Sequence, residues 1–170
     1  MILLLAACLR STPGKTITVL LSLGLLLGFA SNAAPPDAKS VTMKAVRMHD
    51  YGDASKLVYE DAPKPAPAKG QMLVHVKAAG VNPVDWKIRS GMFRGGLEFT
   101  MPATLGFDVA GEVAEVGEGV TKFKVGDKVF AYLALNRGGG YAQFAIVEEK
   151  EAAPTPATLD LVKAGGTPLT

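Results

Sequence analysis

Asn82, Asp85, Lys87 and Arg89 bring an amide, a carboxylate, an ammonium and a guanidinium into one short stretch of chain. Groups of this kind can donate hydrogen bonds to a carbonyl oxygen, place charge beside it, and hold or release a proton. Thiolate and imidazole chemistry have less to work with. The single cysteine, Cys8, lies far upstream. His49 and His75 stand apart from each other, and His75 falls on the polar face of its segment, so both read as solvated surface. Two glycine clusters could suggest a phosphate cradle, which needs a strand before it and a helix after it. Gly117-Glu118-Gly119 lacks the third glycine and runs into a strand-like pattern, and Gly138-Gly139-Gly140 leads into Tyr141-Ala142-Gln143-Phe144. Both read as turns.

The elements that must position these groups are mostly strands. From Met72 to Ala78, Met72, Val74, Val76 and Ala78 share one face while Leu73, His75 and Lys77 share the other, the period of a half-buried strand. Gly80 breaks it. Asn82 is a good N-cap, Pro83 suits the first helical position, and Asp85 meets the helix dipole in the first turn. A short helix is predicted from Pro83 to about Ser90, closed by Gly91, with Asp85 and Arg89 at ion-pair spacing. Val109 to Val116 is an apolar strand, Gly117 to Gly119 and Gly126-Asp127 mark turns, and Lys128 to Leu133 is another strand. Further strands are expected over Lys44–His49, Leu57–Asp61 and Tyr141–Val147, and a capped helix from Thr158-Leu159-Asp160 through Lys163. Pro63 to Pro67 is too proline-rich to pair centrally and reads as a connector. Some six short strands with one helix point to a small, partly open β-barrel.

The N-terminus has a different character. Arg10 and Lys15 precede a charge-free run from Ile17 to Ala30, and Ser31-Asn32-Ala33 offers small residues for cleavage. Residues 1–33 therefore read as a secretory signal peptide and 34–42 as a linker. An uncleaved membrane anchor is the other reading, against which the run is short of the roughly 20 residues of a spanning helix. Cleavage would remove two positive charges and leave 16 basic and 16 acidic residues. With no basic excess to displace counterions from phosphates, nucleic-acid binding is excluded from the expectations. No cysteine would remain for a disulfide or a thiolate metal site.

Five phrases in order identify a resemblance: MKAVRMHDYG from Met43, Asn82-Pro83-Val84-Asp85, Gly106-Phe107-Asp108, VGEGVTKFKVGDKVFA, and GGGYAQFAIV from Gly138. Over roughly Met43 to Leu169 the chain resembles the N-terminal, GroES-like catalytic domain of the medium-chain dehydrogenase/reductase superfamily, in its zinc-independent quinone oxidoreductase branch. The resemblance implies a mainly β, GroES-like, partly open barrel with one or two short helices over residues 43–157. Residues 158–170 would then begin the connection to a Rossmann nucleotide-binding domain that this sequence lacks.

The resemblance also implies an activity: reduction of quinones or conjugated carbonyls by hydride transfer from NADPH. At the positions where zinc-containing relatives carry a ligating cysteine and histidine stand Asn82 and Phe107, so no zinc is expected. Asn82 corresponds to the residue that faces nicotinamide and substrate, a role that competes with simple N-capping. Lys87 is a second catalytic candidate, Tyr51 and Phe93 are expected at the substrate cleft, and Asp85, Arg89 and Asp108 are expected as structural neighbours of the site. Without a nucleotide-binding half the chain is expected to bind no cofactor and to be inactive alone, its exposed face covered by a homodimer partner or by that missing half. A truncated, exported, non-enzymatic barrel that binds a hydrophobic ligand or a partner stays open beside it. Location follows the start: exported if the presequence is real, cytoplasmic if translation begins at Met43. Sequencing the N-terminus of the natural protein separates these, with Ala34 the expected first residue and Met43 the result that would remove the signal peptide.

Overall fold

The computed structural model describes residues 41–169. The signal-peptide reading of residues 1–33 lies outside them, as does most of the linker. Eight strands and two short α-helices follow in the order β1 (Thr42–Met48), β2 (Leu57–Pro63), β3 (Gln71–Gly80), α1 (Pro83–Arg89), β4 (Ala103–Thr104), β5 (Asp108–Val116), β6 (Lys128–Tyr132), β7 (Phe144–Glu148), β8 (Ala152–Pro154) and α2 (Leu161–Ala164). The six expected strands are present, and two very short ones, β4 and β8, are added. Two 3-10 turns also form, Ala54–Lys56 and Glu149–Glu151. The linker boundary shifts, since Thr42 already pairs with Pro63 in β1.

The strands form a three-stranded sheet in the order β2-β1-β4 and a five-stranded sheet in the order β7-β3-β5-β6-β8. Neighbouring strands in both sheets are antiparallel. An isolated bridge between Ala45 and Ala142 links the two, and the barrel remains open. Met72, Val74, Val109, Val113, Val129, Leu133 and Val147 form the larger core. Met48, Ile88, Leu105 and Phe107 form a second beneath α1. Each such fully buried side chain contributes about 1.5–3 kcal/mol.

Two expectations are corrected by the position of β3. It lies between β5 and β7 and carries register shifts at Leu73/Val74 and Val76/Ala78. Leu73, expected on the solvent face, is fully buried beside the first of these shifts, where the simple alternation breaks. His75 is half-buried and stacks on Phe144 with ring centroids 4.9 Å apart. The β5–β6 connection is likewise not a tight hairpin with a strand after Gly119. It turns at Gly119 (φ 82°), runs irregularly, and turns again at Gly126 (φ 91°) before β6.

Close backbone approach fixes β3 against β5. A Cβ at Gly111 would lie 2.1 Å from the carbonyl oxygen of His75, across the paired strands. Gly111→Ala is expected to lower stability by about 1–3 kcal/mol through overpacking, read as a lower urea midpoint. Gly96→Ala, whose Cβ would come no closer than 3.8 Å to any neighbour, should leave that midpoint unchanged.

Candidate functional site

Helix α1 starts as its sequence dictates, with Pro83 first and Asp85 in the opening turn. The Asp85 carboxylate turns back, and its Oδ2 accepts the Asn82 backbone N–H at 2.7 Å. Its Oδ1 accepts the Gly106 N–H at 3.2 Å. Asn82 and Asp85 form the capping box that opens the helix. The Asn82 amide donates Nδ2–H to Asp108 Oδ2 at 2.8 Å, which settles which end of the amide carries nitrogen. The amide nitrogen of Asn82 is therefore directed to Asp108 while the residue opens the helix.

Asp108 is brought there by register. Gly80 pairs with Asp108 across β3 and β5, two residues before Asn82. The strands approach closely enough that a Cβ on Gly80 would lie 2.9 Å from Asp108 Cβ and 2.8 Å from the Gly165 carbonyl oxygen after α2. Asp108 is fully buried, and its Oδ1 has no hydrogen-bond partner.

Asn82, Asp85, Trp86 and Arg89 line one wall of a cleft of about 390 Å³. Val46, Leu57, Leu105 and Tyr141 supply apolar surface opposite. The volume is that of a small-molecule site, apolar with a few polar groups along one side. Burial pushes the Asp85 carboxyl above its ordinary range against the pull of the Asn82 and Gly106 N–H groups, and the nearby Asp108 charge adds to the rise. Burial also pushes the Tyr141 phenol up strongly, reinforced by the Asp85 carboxylate beside it. The Tyr141 hydroxyl is buried beside the Asp85 carboxylate.

The other expected site residues fall elsewhere. Lys87 does not line this cleft; its Nζ sits 5.8 Å from the Trp86 ring centroid. Tyr51 is not at the cleft. Its ring packs against the Met48–Phe107 core with the Arg94 guanidinium 4.6 Å from its centroid. Phe93 lines a separate cavity of about 350 Å³ with Val84, Leu97 and Leu135. The expected Asp85–Arg89 ion pair does not form, because both Asp85 oxygens are held by N–H groups while Arg89 Nε donates to the Gly52 carbonyl at 3.3 Å. Sequence reasoning missed Trp86 and Tyr141. Trp86 was discoverable, being four residues from Asn82 and three from Arg89 on one helix face. Tyr141 was not, since it arrives through its backbone bonds to Val46 and Leu105.

Phe107 is fully buried among apolar side chains. Among the described residues no three His, Cys, Asp or Glu side chains converge as a metal site.

Residues 68–157 match the alcohol dehydrogenase GroES-like domain family. The chain is 41% identical over 128 residues to a chloroplast envelope quinone oxidoreductase homolog of Arabidopsis thaliana, covering 75% of this chain and 39% of that protein. It is 42% identical over 119 residues to a quinone oxidoreductase of Rattus norvegicus, covering 69% of this chain and 35% of the relative. The solved quinone oxidoreductase of Coxiella burnetii superposes with a TM-score of 0.67 at 30% identity, over 75% of this chain and 42% of that one. The chain thus spans about two fifths of the length of the relatives it matches.

The carboxylate environments give a test by carbonyl-carbon NMR. Asp85 is expected to titrate above an ordinary aspartate and Asp127, which accepts hydrogen bonds from Lys124, below one. The raised group contributes stability that is complete below its unfolded pKa and lost as pH rises through its folded one; the lowered group contributes above its unfolded pKa and loses it on acidification. An Asp85 midpoint at or below that of Asp127 would show the cleft carboxylate to be solvated.

Proposed function

The chain belongs to the alcohol dehydrogenase GroES-like domain family, and from that membership we propose that it is the substrate-binding, catalytic-domain portion of an NADPH-dependent, zinc-independent oxidoreductase that reduces quinones or conjugated carbonyls. The observation that carries this reading is the Asn82 amide, clamped through one Nδ2–H by the buried Asp108 and standing on the rim of an apolar cleft. An amide so fixed costs no reorganisation when a polar oxygen arrives, and the dry walls around it strengthen the contact.

The donor set argues for hydrogen bonds over a Lewis acid. Phe107 has no lone pair to offer and is locked in the core, and the Asn82 nitrogen is already committed to Asp108. Nicotinamide fits better. The Asn82 amide has a second Nδ2–H for a carboxamide or carbonyl oxygen, and Trp86 and Tyr141 give flat apolar surface beside it. When bound, the nicotinamide supplies the hydride. The residues of this chain orient the acceptor at Asn82, exclude water with Val46, Leu57 and Leu105, and keep Asp85 and Tyr141 as buried proton-holding groups at the cleft wall. The nucleotide's phosphates belong to another domain of the whole reductase, because the glycine clusters here lead into turns and strands.

Trp86 is the chain's one tryptophan and lines the cleft, so its fluorescence reports binding there directly. Titration with 1,4-naphthoquinone is expected to quench it saturably. Asn82→Ala, verified as folded by circular dichroism, should weaken that binding about fivefold to tenfold, the worth of about one hydrogen bond. NADPH is expected to bind the chain alone no tighter than millimolar and to support no turnover. Linear, unsaturable quenching would sink the cleft assignment, and micromolar NADPH binding would overturn the division of labour between domains.

A further inference from the structure

We infer that Arg89 is a specificity residue of the cleft and that the preferred substrate carries an organic carboxylate remote from its conjugated carbonyl. The inference rests on the proposed placement of that carbonyl at Asn82.

Arg89 lines the same cleft as Asn82, but its charge is not used by the fold. Among the described residues it forms no ion pair. Its one side-chain hydrogen bond is from Nε to the Gly52 carbonyl, and the Gly52 N–H in turn donates to the Arg89 carbonyl at 2.7 Å. Asp85, the carboxylate four residues earlier, is occupied by the N–H groups of Asn82 and Gly106. Asp53 is near enough to Arg89 to feel its charge, yet its own carboxylate is capped by Ser55. A guanidinium anchored through Nε keeps its two Nη groups side by side, the fork that matches the two oxygens of a carboxylate.

The spacing defines the ligand. Asn82 and Arg89 bracket α1, and at about 1.5 Å rise per residue they stand roughly 10 Å apart along it. Trp86 lies between them on the cleft wall. A planar conjugated body along Trp86, with a carbonyl at one end and a carboxylate several bonds away at the other, would engage both. A neutral quinone engages Asn82 alone and leaves the Arg89 charge facing an apolar cavity.

The test compares a matched pair, cinnamaldehyde and 4-carboxycinnamaldehyde, by quenching of Trp86 in the whole chain at low ionic strength. The carboxylated aldehyde is expected to bind about tenfold tighter or better, with the preference shrinking as salt is added. Arg89→Gln should bring the ratio of the two affinities to about one, while Arg89→Lys, which keeps the charge without the fork, should retain only part of it. Circular dichroism confirms that each variant is folded. Equal binding of the two aldehydes, or a preference that survives Arg89→Gln, overturns this inference and leaves the cleft assignment standing. Absence of saturable quenching by either aldehyde and by 1,4-naphthoquinone removes both together.

Discussion

Two carboxylates buried without a cationic partner hold the site together, and the chain meets their cost almost entirely with N–H groups. Asp85 and Asp108 are both buried, and amide hydrogens of Asn82 and Gly106 donate to them. An unpaired buried charge costs far more than a buried amide. Each of these bonds therefore resists being broken, and together they fix three separate pieces of chain. Asp108 sits on β5, Asn82 follows β3 and opens α1, and Gly106 forms the positive-φ turn (φ 89°) into β5. The helix is too short to be stable by itself. It is held in place by these bonds and by Ile88 packed into the core below.

Glycine makes the arrangement sterically possible. Gly80 lets β3 pass close to Asp108 and to the turn after α2, and Gly106 lies against Tyr141, where a Cβ would come within 2.6 Å of its ring. The same closeness that brings Asn82 to Asp108 also seals Tyr141 over the back of the cleft. Polar groups on one wall and apolar groups on the others are consequences of one packing decision.

What could be read from the sequence follows the range of the cause. Helix α1 was legible because Asn82, Pro83 and Asp85 act within one turn, and α2 because Asp160 accepts the Lys163 N–H three residues on. The six longer strands were legible from their apolar patterns and bounding glycines. The burial of Leu73 was not legible because the register shift between Leu73 and Val74 interrupts the alternation that a local pattern reads. The Asn82–Asp108 bond spans 26 positions and arises from β3–β5 register. Tyr51 and Phe93 were placed at the cleft by resemblance. Packing carried Tyr51 into the second core and Phe93 to a different cavity.

Asn82 sits at the N-cap, where asparagine is ordinarily explained by the helix it starts. Here the cap is reciprocal, the Asp85 carboxylate reaching back to accept the Asn82 N–H. The amide nitrogen is left over, and Asp108 determines where it points. A hydrogen bond to a carboxylate is stronger than one to a neutral acceptor, so the amide is held more firmly than a cap alone would hold it. Its rigidity comes from a residue that substrate cannot reach, because Asp108 is wholly buried. The separation has a physical consequence: the group on the cleft wall is neutral and can face an apolar cavity at little cost, while the charge that aims it stays behind the wall.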